Sequence, residues 1–181
     1  MGERVLSKIN DFYECLEYSH QAEDLPFWGE VYCKAFPNVT AIISHREDGW
    51  WQRLGIDRSV VLSDSRRILV DEKVRKKDYG DIALEYISRD TDNAPGWVCK
   101  PLIADYIAYA VAPKGICYLL PVIQLQLAWV KNGKQWIAKH KEVKAPNKNY
   151  NTISCGVPVA ELFKAIGKEL RINFTPFLGA S

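Results

Sequence analysis

The stretch from Ser59 to Arg75 restricts the fold more than any other part of the chain. Ser59 to Ser63 and Arg67 to Arg75 are rich in valine, leucine and isoleucine, and they flank Asp64-Ser65, residue types whose side chains bond their own backbone and start turns. The pattern predicts a β-hairpin. In a strand, side chains two apart share a face, so Asp71 and Lys73 point one way while Glu72 points the other.

Elements on either side can be read from the same rules. Ile9, Phe12, Tyr13 and Leu16 recur at helical spacing behind Ser7, and a second helical pattern carries Phe27, Trp28, Val31, Tyr32 and Ala35 between Pro26 and Pro37. Val39 to Ser44 reads as a strand, and so does Asp81 to Ser88, which runs into the polar loop Arg89 to Gly96. Ala104 to Val111 and Ile116 to Leu120 flank the turn Pro113-Lys114-Gly115, predicting a second hairpin. A helix is expected from Pro121 to a stop near Asn132-Gly133, then a strand from Thr152 to Val157 and a helix from Val159 to Leu170. No repeat or composition shift divides the 181 residues, so one α/β (α+β) domain is expected, a central mixed sheet flanked by helices.

Composition narrows the function classes. A net charge of +2 excludes a polycation, so any nucleic-acid affinity must come from a local cluster. The five cysteines are widely spaced with no C-x-x-C pair, which argues for free, mostly buried thiols in a reducing compartment. With no signal-like apolar run and no membrane-length window, a cytoplasmic protein that does not engage membranes is expected. His20, His45 and His140 have no zinc-like spacing, and there is no glycine-rich phosphate loop.

The chemistry concentrates in Gly55-Ile-Asp57 and Val70-Asp-Glu-Lys73. If the hairpin forms, Asp57 arrives beside Asp71 and Lys73. Two close carboxylates repel each other unless a cation lies between them. Mg²⁺ or Mn²⁺ suits that need, because such ions take one or two protein carboxylates and complete their shell with water and phosphate. Lys73 adds a positive charge able to stabilise a developing phosphorane.

Helix, Gly-Ile-Asp, hairpin and Val-Asp-Glu-Lys together resemble the PD-(D/E)XK nuclease superfamily, whose members include restriction endonucleases and Holliday-junction resolvases. The resemblance implies a restriction-endonuclease-like core of helix, three antiparallel strands, helix and a further strand, across roughly Asp24 to Val157. By position it makes Asp57 the first metal ligand, Asp71 the acid of the D-x-K element and Lys73 its lysine, with Ile-Asp standing where many members have Pro-Asp. Glu30 on the preceding helix and Glu85 on the following strand are the candidates for a further metal ligand. The implied activity is metal-dependent hydrolysis of DNA, with RNA not excluded. The alternative is a nuclease-like fold without hydrolysis that serves as a nucleic-acid-binding or assembly protein.

Arg75, Lys76 and Lys77 directly follow the motif and are candidate phosphate contacts, as is the basic stretch Lys131 to Lys148 with Trp136, His140 and Tyr150 interleaved. Trp50 and Trp51 either wall the substrate or pack into the core, and core packing is the commoner use of such area. The competing reading makes Asp71 and Lys73 a surface ion pair worth only tenths of a kcal/mol. Many superfamily members cut as homodimers, but no segment marks a dimer face.

Overall fold

The computed structural model describes residues 27–178. The helix expected over Ser7 to Leu16, together with Cys15 and His20, lies outside them. Helix α1 (Phe27–Ala35) ends before Pro37, and Asn38 turns the chain through a positive φ of 59° into β1 (Val39–Ser44). The short helix α2 (Gly49–Arg53) is started by Asp48, whose carboxylate accepts from the Trp50 and Trp51 N–H groups. The predicted hairpin follows as β2 (Arg58–Leu62) and β3 (Arg67–Arg75). Its turn has Ser65 at φ 67° donating to the Leu62 carbonyl, while the Asp64 side chain accepts from the Arg66 N–H.

The chain then leaves this sheet for β4 (Asp81–Arg89) and the two-residue β5 (Ala94–Pro95), and returns as β6 (Tyr106–Val111) and β7 (Ile116–Pro121). Helix α3 (Val122–Lys139), β8 (Glu142–Pro146), β9 (Asn151–Pro158), α4 (Val159–Ile166) and β10 (Arg171–Asn173) complete the described residues. One sheet has six strands in the order β1-β2-β3-β6-β7-β10, and a second has four in the order β5-β4-β9-β8. Within the six-stranded sheet β3 and β6 are parallel and the other pairings antiparallel. The class is mixed α/β as expected, although the single central sheet becomes two.

Alternation along β3 organises the packing. Ile68, Val70 and Val74 join a cluster under α1 with Phe27, Trp28, Val31, Tyr32 and Phe174. Leu69 belongs to the cluster on the opposite face, where Ile82 and Leu84 of β4, Cys155 and Val157 of β9, Leu125 and Trp136 of α3, and Leu162 and Phe163 of α4 meet. The six-stranded sheet is therefore the middle layer, with α1 on one side and the second sheet, α3 and α4 on the other. Asp71 and Lys73 lie on the second side and Glu72 on the first.

Several expectations are corrected. Helix α3 does not stop at Asn132-Gly133 but continues to Lys139. Gly133 is buried against Trp129, where an added Cβ would meet the indole at 3.0 Å, and Trp136 beyond it is buried, so tertiary contact carries the helix through a residue that would end an isolated one. The basic stretch after it is partly ordered as β8, and α4 ends at Ile166 because Gly167 takes the left-handed cap at φ 89°. Among the described cysteines Cys117 and Cys155 are buried and Cys33 and Cys99 exposed, all as thiols. Among the described residues, no helix is long and apolar enough to cross a membrane.

Candidate active site

Asp57 is placed by three consecutive residues. Gly55, at φ 70°, makes a left-handed exit from α2 that other residues take only with strain. Ile56 is fully buried, and Asp57 locks to both neighbouring strands, its N–H donating to the Val70 carbonyl and its own carbonyl accepting from the His45 N–H. Its side chain is held as well. Oδ2 accepts from the Glu72 N–H at 2.7 Å, and Oδ1 from Gln52 Nε2 at 3.3 Å.

The hairpin register pairs Arg58 with Val70, which brings the Asp57 carboxylate against that of Asp71. Lys73 Nζ donates to Asp71 Oδ1 at 2.5 Å. Asp71 is buried and Lys73 about a third exposed, so the pair opens to solvent from the ammonium side. Burial pushes the Asp71 carboxyl up to about 6, with Lys73 pulling it down and Asp57 raising it further. Burial works against the charge of Lys73, but Asp71, Asp57 and Glu85 outweigh it and hold the ammonium above the ordinary lysine value.

Glu85 reaches the same place from the second sheet. Its carboxylate lies near the Trp97 N–H and within the influence of Lys73 and Lys100, while burial raises its pKa. The close fit of the segment after β5 depends on Gly96, where an added Cβ would fall 2.3 Å from the Glu85 carbonyl oxygen and 2.8 Å from its Cγ. Asp57, Asp71 and Lys73 thus meet at one point, and Glu85 faces the Lys73 ammonium from the second sheet.

Glu30 does not join them. It lies on α1, across the six-stranded sheet, and bonds Lys34 Nζ at 2.7 Å and the Thr175 N–H at 3.0 Å, which hold its carboxyl down at about 2. Arg75 spends its guanidinium on Asp81 at 2.7 Å, close to the rings of Tyr79 and Tyr109. Lys76 and Lys77 are exposed, with the Lys77 ammonium 5.3 Å from the Tyr79 ring centroid. The two tryptophans divide: Trp51 stacks on His45 and packs on the core, whereas Trp50 is mostly exposed. His45 is buried with Nε2 2.7 Å from Ser59 Oγ, and burial lowers its pKa. In the basic stretch, Trp136 Nε1 donates to Glu161 at 3.0 Å, a structural use of that indole.

Gln52 and Lys100 were not singled out from the sequence. Gln52 belongs to a helix too short to announce itself by periodicity, and Lys100 follows a loop whose path only the second sheet defines. Among the described residues no three His, Cys, Asp or Glu side chains gather as a ready-made metal cage. The chemistry of the donor set still fits one Mg²⁺-like ion, since burial and then the nearby Asp57 disfavour the Asp71 charge, a cost that a divalent cation completing its shell with water would relieve.

Comparison of the chain with protein-family models, curated proteins and solved structures gives no match.

Proposed function

We propose that the chain is a divalent-metal-dependent nuclease with a restriction-endonuclease-like core, hydrolysing phosphodiester bonds of DNA. The observation that carries this reading is the convergence of Asp57, Asp71 and Lys73, with Glu85 beside them, at one partly open point between two sheets. The order of α1, the antiparallel β1-β2-β3 set and β6 parallel to β3 supports the core assignment. A crossover through β4 and β5 stands where a helix would be expected directly after β3.

Asp57 and Asp71 are the residues that would hold Mg²⁺ or Mn²⁺, with Glu85 able to take part through water. A bound ion of this kind lowers the pKa of its water and offsets charge on a phosphoryl oxygen. The remaining work falls to the chain. Lys73 carries three N–H donors, one engaged by Asp71, leaving capacity for the phosphate or the attacking water. Gln52 and the Glu72 amide fix the Asp57 carboxylate in orientation, so it need not reorganise when a phosphate arrives. In the reaction a water oxygen bonds to phosphorus, the bond to one ester oxygen breaks, and that oxygen leaves with a proton. Lys100 adds positive charge beside Glu85, and Lys76 and Lys77 offer exposed charge at the end of the strand that carries the site.

The test is incubation of the purified chain with single-stranded, duplex and branched DNA, and with RNA, in Mg²⁺, Mn²⁺ or chelator. Metal-dependent cleavage lost in Asp71→Ala and Lys73→Ala, with the fold intact by circular dichroism, is the expected result. Binding without cleavage in every metal would leave a nuclease-like binding protein instead.

A further inference from the structure

Helix α3 is apolar on two sides. Val122, Leu125, Ala128, Gly133 and Trp136 are buried against the core, as an amphipathic helix requires. The opposite side should be polar, yet it presents Ile123 (70% exposed), Leu127 (65%), Val130 (84%) and Ile137 (38%). With Lys134 these residues follow steps of four, three, four and three, the spacing of a seam that packs against another helix. The apolar surface continues into the neighbouring groove, lined by Tyr86, Val98, Pro101 and Trp129.

The seam is close to symmetric about Val130. Ile123 lies seven residues before it and Ile137 seven after, and Leu127 and Lys134 lie three before and four after. An antiparallel copy of the same helix would set Val130 on Val130, Ile123 on Ile137, and Leu127 opposite position 133, one residue from Lys134, whose aliphatic stem can cover it while the ammonium still reaches water. Charge selects the direction. The first half of α3 has no ionisable residue and the second carries Lys131, Lys134 and Lys139, with no acid anywhere in the helix. Parallel pairing would stack these lysines, whereas antiparallel pairing separates them. The four exposed side chains present about 500 Å² per molecule, so a two-fold pair covers about 1,000 Å², the lower bound of a specific interface before the groove is counted.

We propose that α3 is the contact face of a two-fold homodimer of this chain, paired antiparallel about Val130. The proposal is independent of the nuclease reading, and its test measures mass alone. Light scattering coupled to size exclusion, over on the order of 1–100 µM chain, should show a monomer–dimer equilibrium for the full chain. Val130→Asp, which places two carboxylates face to face, should weaken the dimer by about 100-fold or more. Leu127→Lys should dissociate it in the same way, because each new lysine lies close to the other molecule's Lys134, while Leu127→Glu should retain it through the same pairing. Both positions are exposed, so the circular dichroism spectrum and Tm of each of the three variants should match the parent. A chain that is monomeric throughout, a dimer indifferent to Val130→Asp, or equal responses to Leu127→Lys and Leu127→Glu would each overturn the proposal. So would capture of the monomer by anionic phospholipid vesicles in place of self-association.

Discussion

Adjacent residues of β3 bury charge on opposite faces of one sheet, and the two environments have little else in common. Under α1, Glu72 accepts from Arg58 Nε at 2.6 Å and from Tyr32 Oη at 2.5 Å, and its side chain is almost wholly enclosed. On the other face, Asp71 meets Lys73 and Asp57 at a point where the ammonium remains about a third exposed. The first cluster is sealed and structural. The second holds unlike charges near a second acid with a path to solvent, which is what a site that takes up a cation and a phosphate requires. Burial of charge alone therefore does not mark function; the proposed site rests on burial combined with access and a second like charge.

The sharpest way to break this contrast is to remove the open cluster. Asp71→Ala or Lys73→Ala should lower metal-dependent cleavage by about a thousandfold or more, with thermal unfolding still cooperative; retention of full rate in a gel assay would reassign the site. The sealed cluster should behave in reverse. Arg58→Ala removes the donor to the buried Glu72 carboxyl under the sheet and should cost about 1–3 kcal/mol in denaturant unfolding, more than any substitution at exposed Lys76 or Lys77.

Gly96→Ala tests the link between the sheets. Its Cβ would collide with the Glu85 backbone, so a stability loss of about 1–3 kcal/mol is expected together with reduced cleavage, since Glu85 must shift. If activity is unchanged while Tm falls, Glu85 takes no part in the site.

The pH response separates the faces more gently. Burial pushes the Glu72 carboxyl from 4.5 up to about 8, against the pull of Arg58 and Tyr32. Between those values the folded chain holds more proton than the unfolded one, so this group makes stability fall as pH rises. His45, lowered from 6.5 by burial, acts in the opposite sense only below that value. The Tm of the metal-free chain should thus decline between pH 6.5 and 8, and Glu72→Gln should flatten the decline; an equal slope in both would place the effect elsewhere. The smallest effect belongs to Glu30, whose replacement by Gln should alter neither cleavage nor Tm measurably, because its partners are surface groups across the sheet.

The hairpin was legible in the sequence because two local signals agree on it, alternation along Arg67 to Arg75 and a turn-forming Asp64-Ser65. That agreement was enough to place Asp57, Asp71 and Lys73 together. Glu85 was legible as an acid in an apolar row, while the sheet to which it belongs was not. Nothing local tells β4 to pair with β9 far along the chain in place of β3 nearby. The departure depends on Gly96 and Gly156 allowing close approach to Glu85 and Asp81, and glycine announces no such role without a structure. The exposed strand β8 and the short β10 escaped for a related reason, since neither carries an apolar row of its own. Glu30 was misplaced because helical spacing identifies a face of α1 without saying on which side of the sheet it will lie.

The hold on Asp57 has a property unlike that of any side-chain contact near it. The donor to Oδ2 is the main-chain N–H of residue 72, a group present in every amino acid except proline. Substitution at position 72 can thus retune the buried charge beneath the sheet while the first acid keeps its aim. The two sides of one peptide can drift apart in evolution, one free to vary and the other anchored by the chain itself.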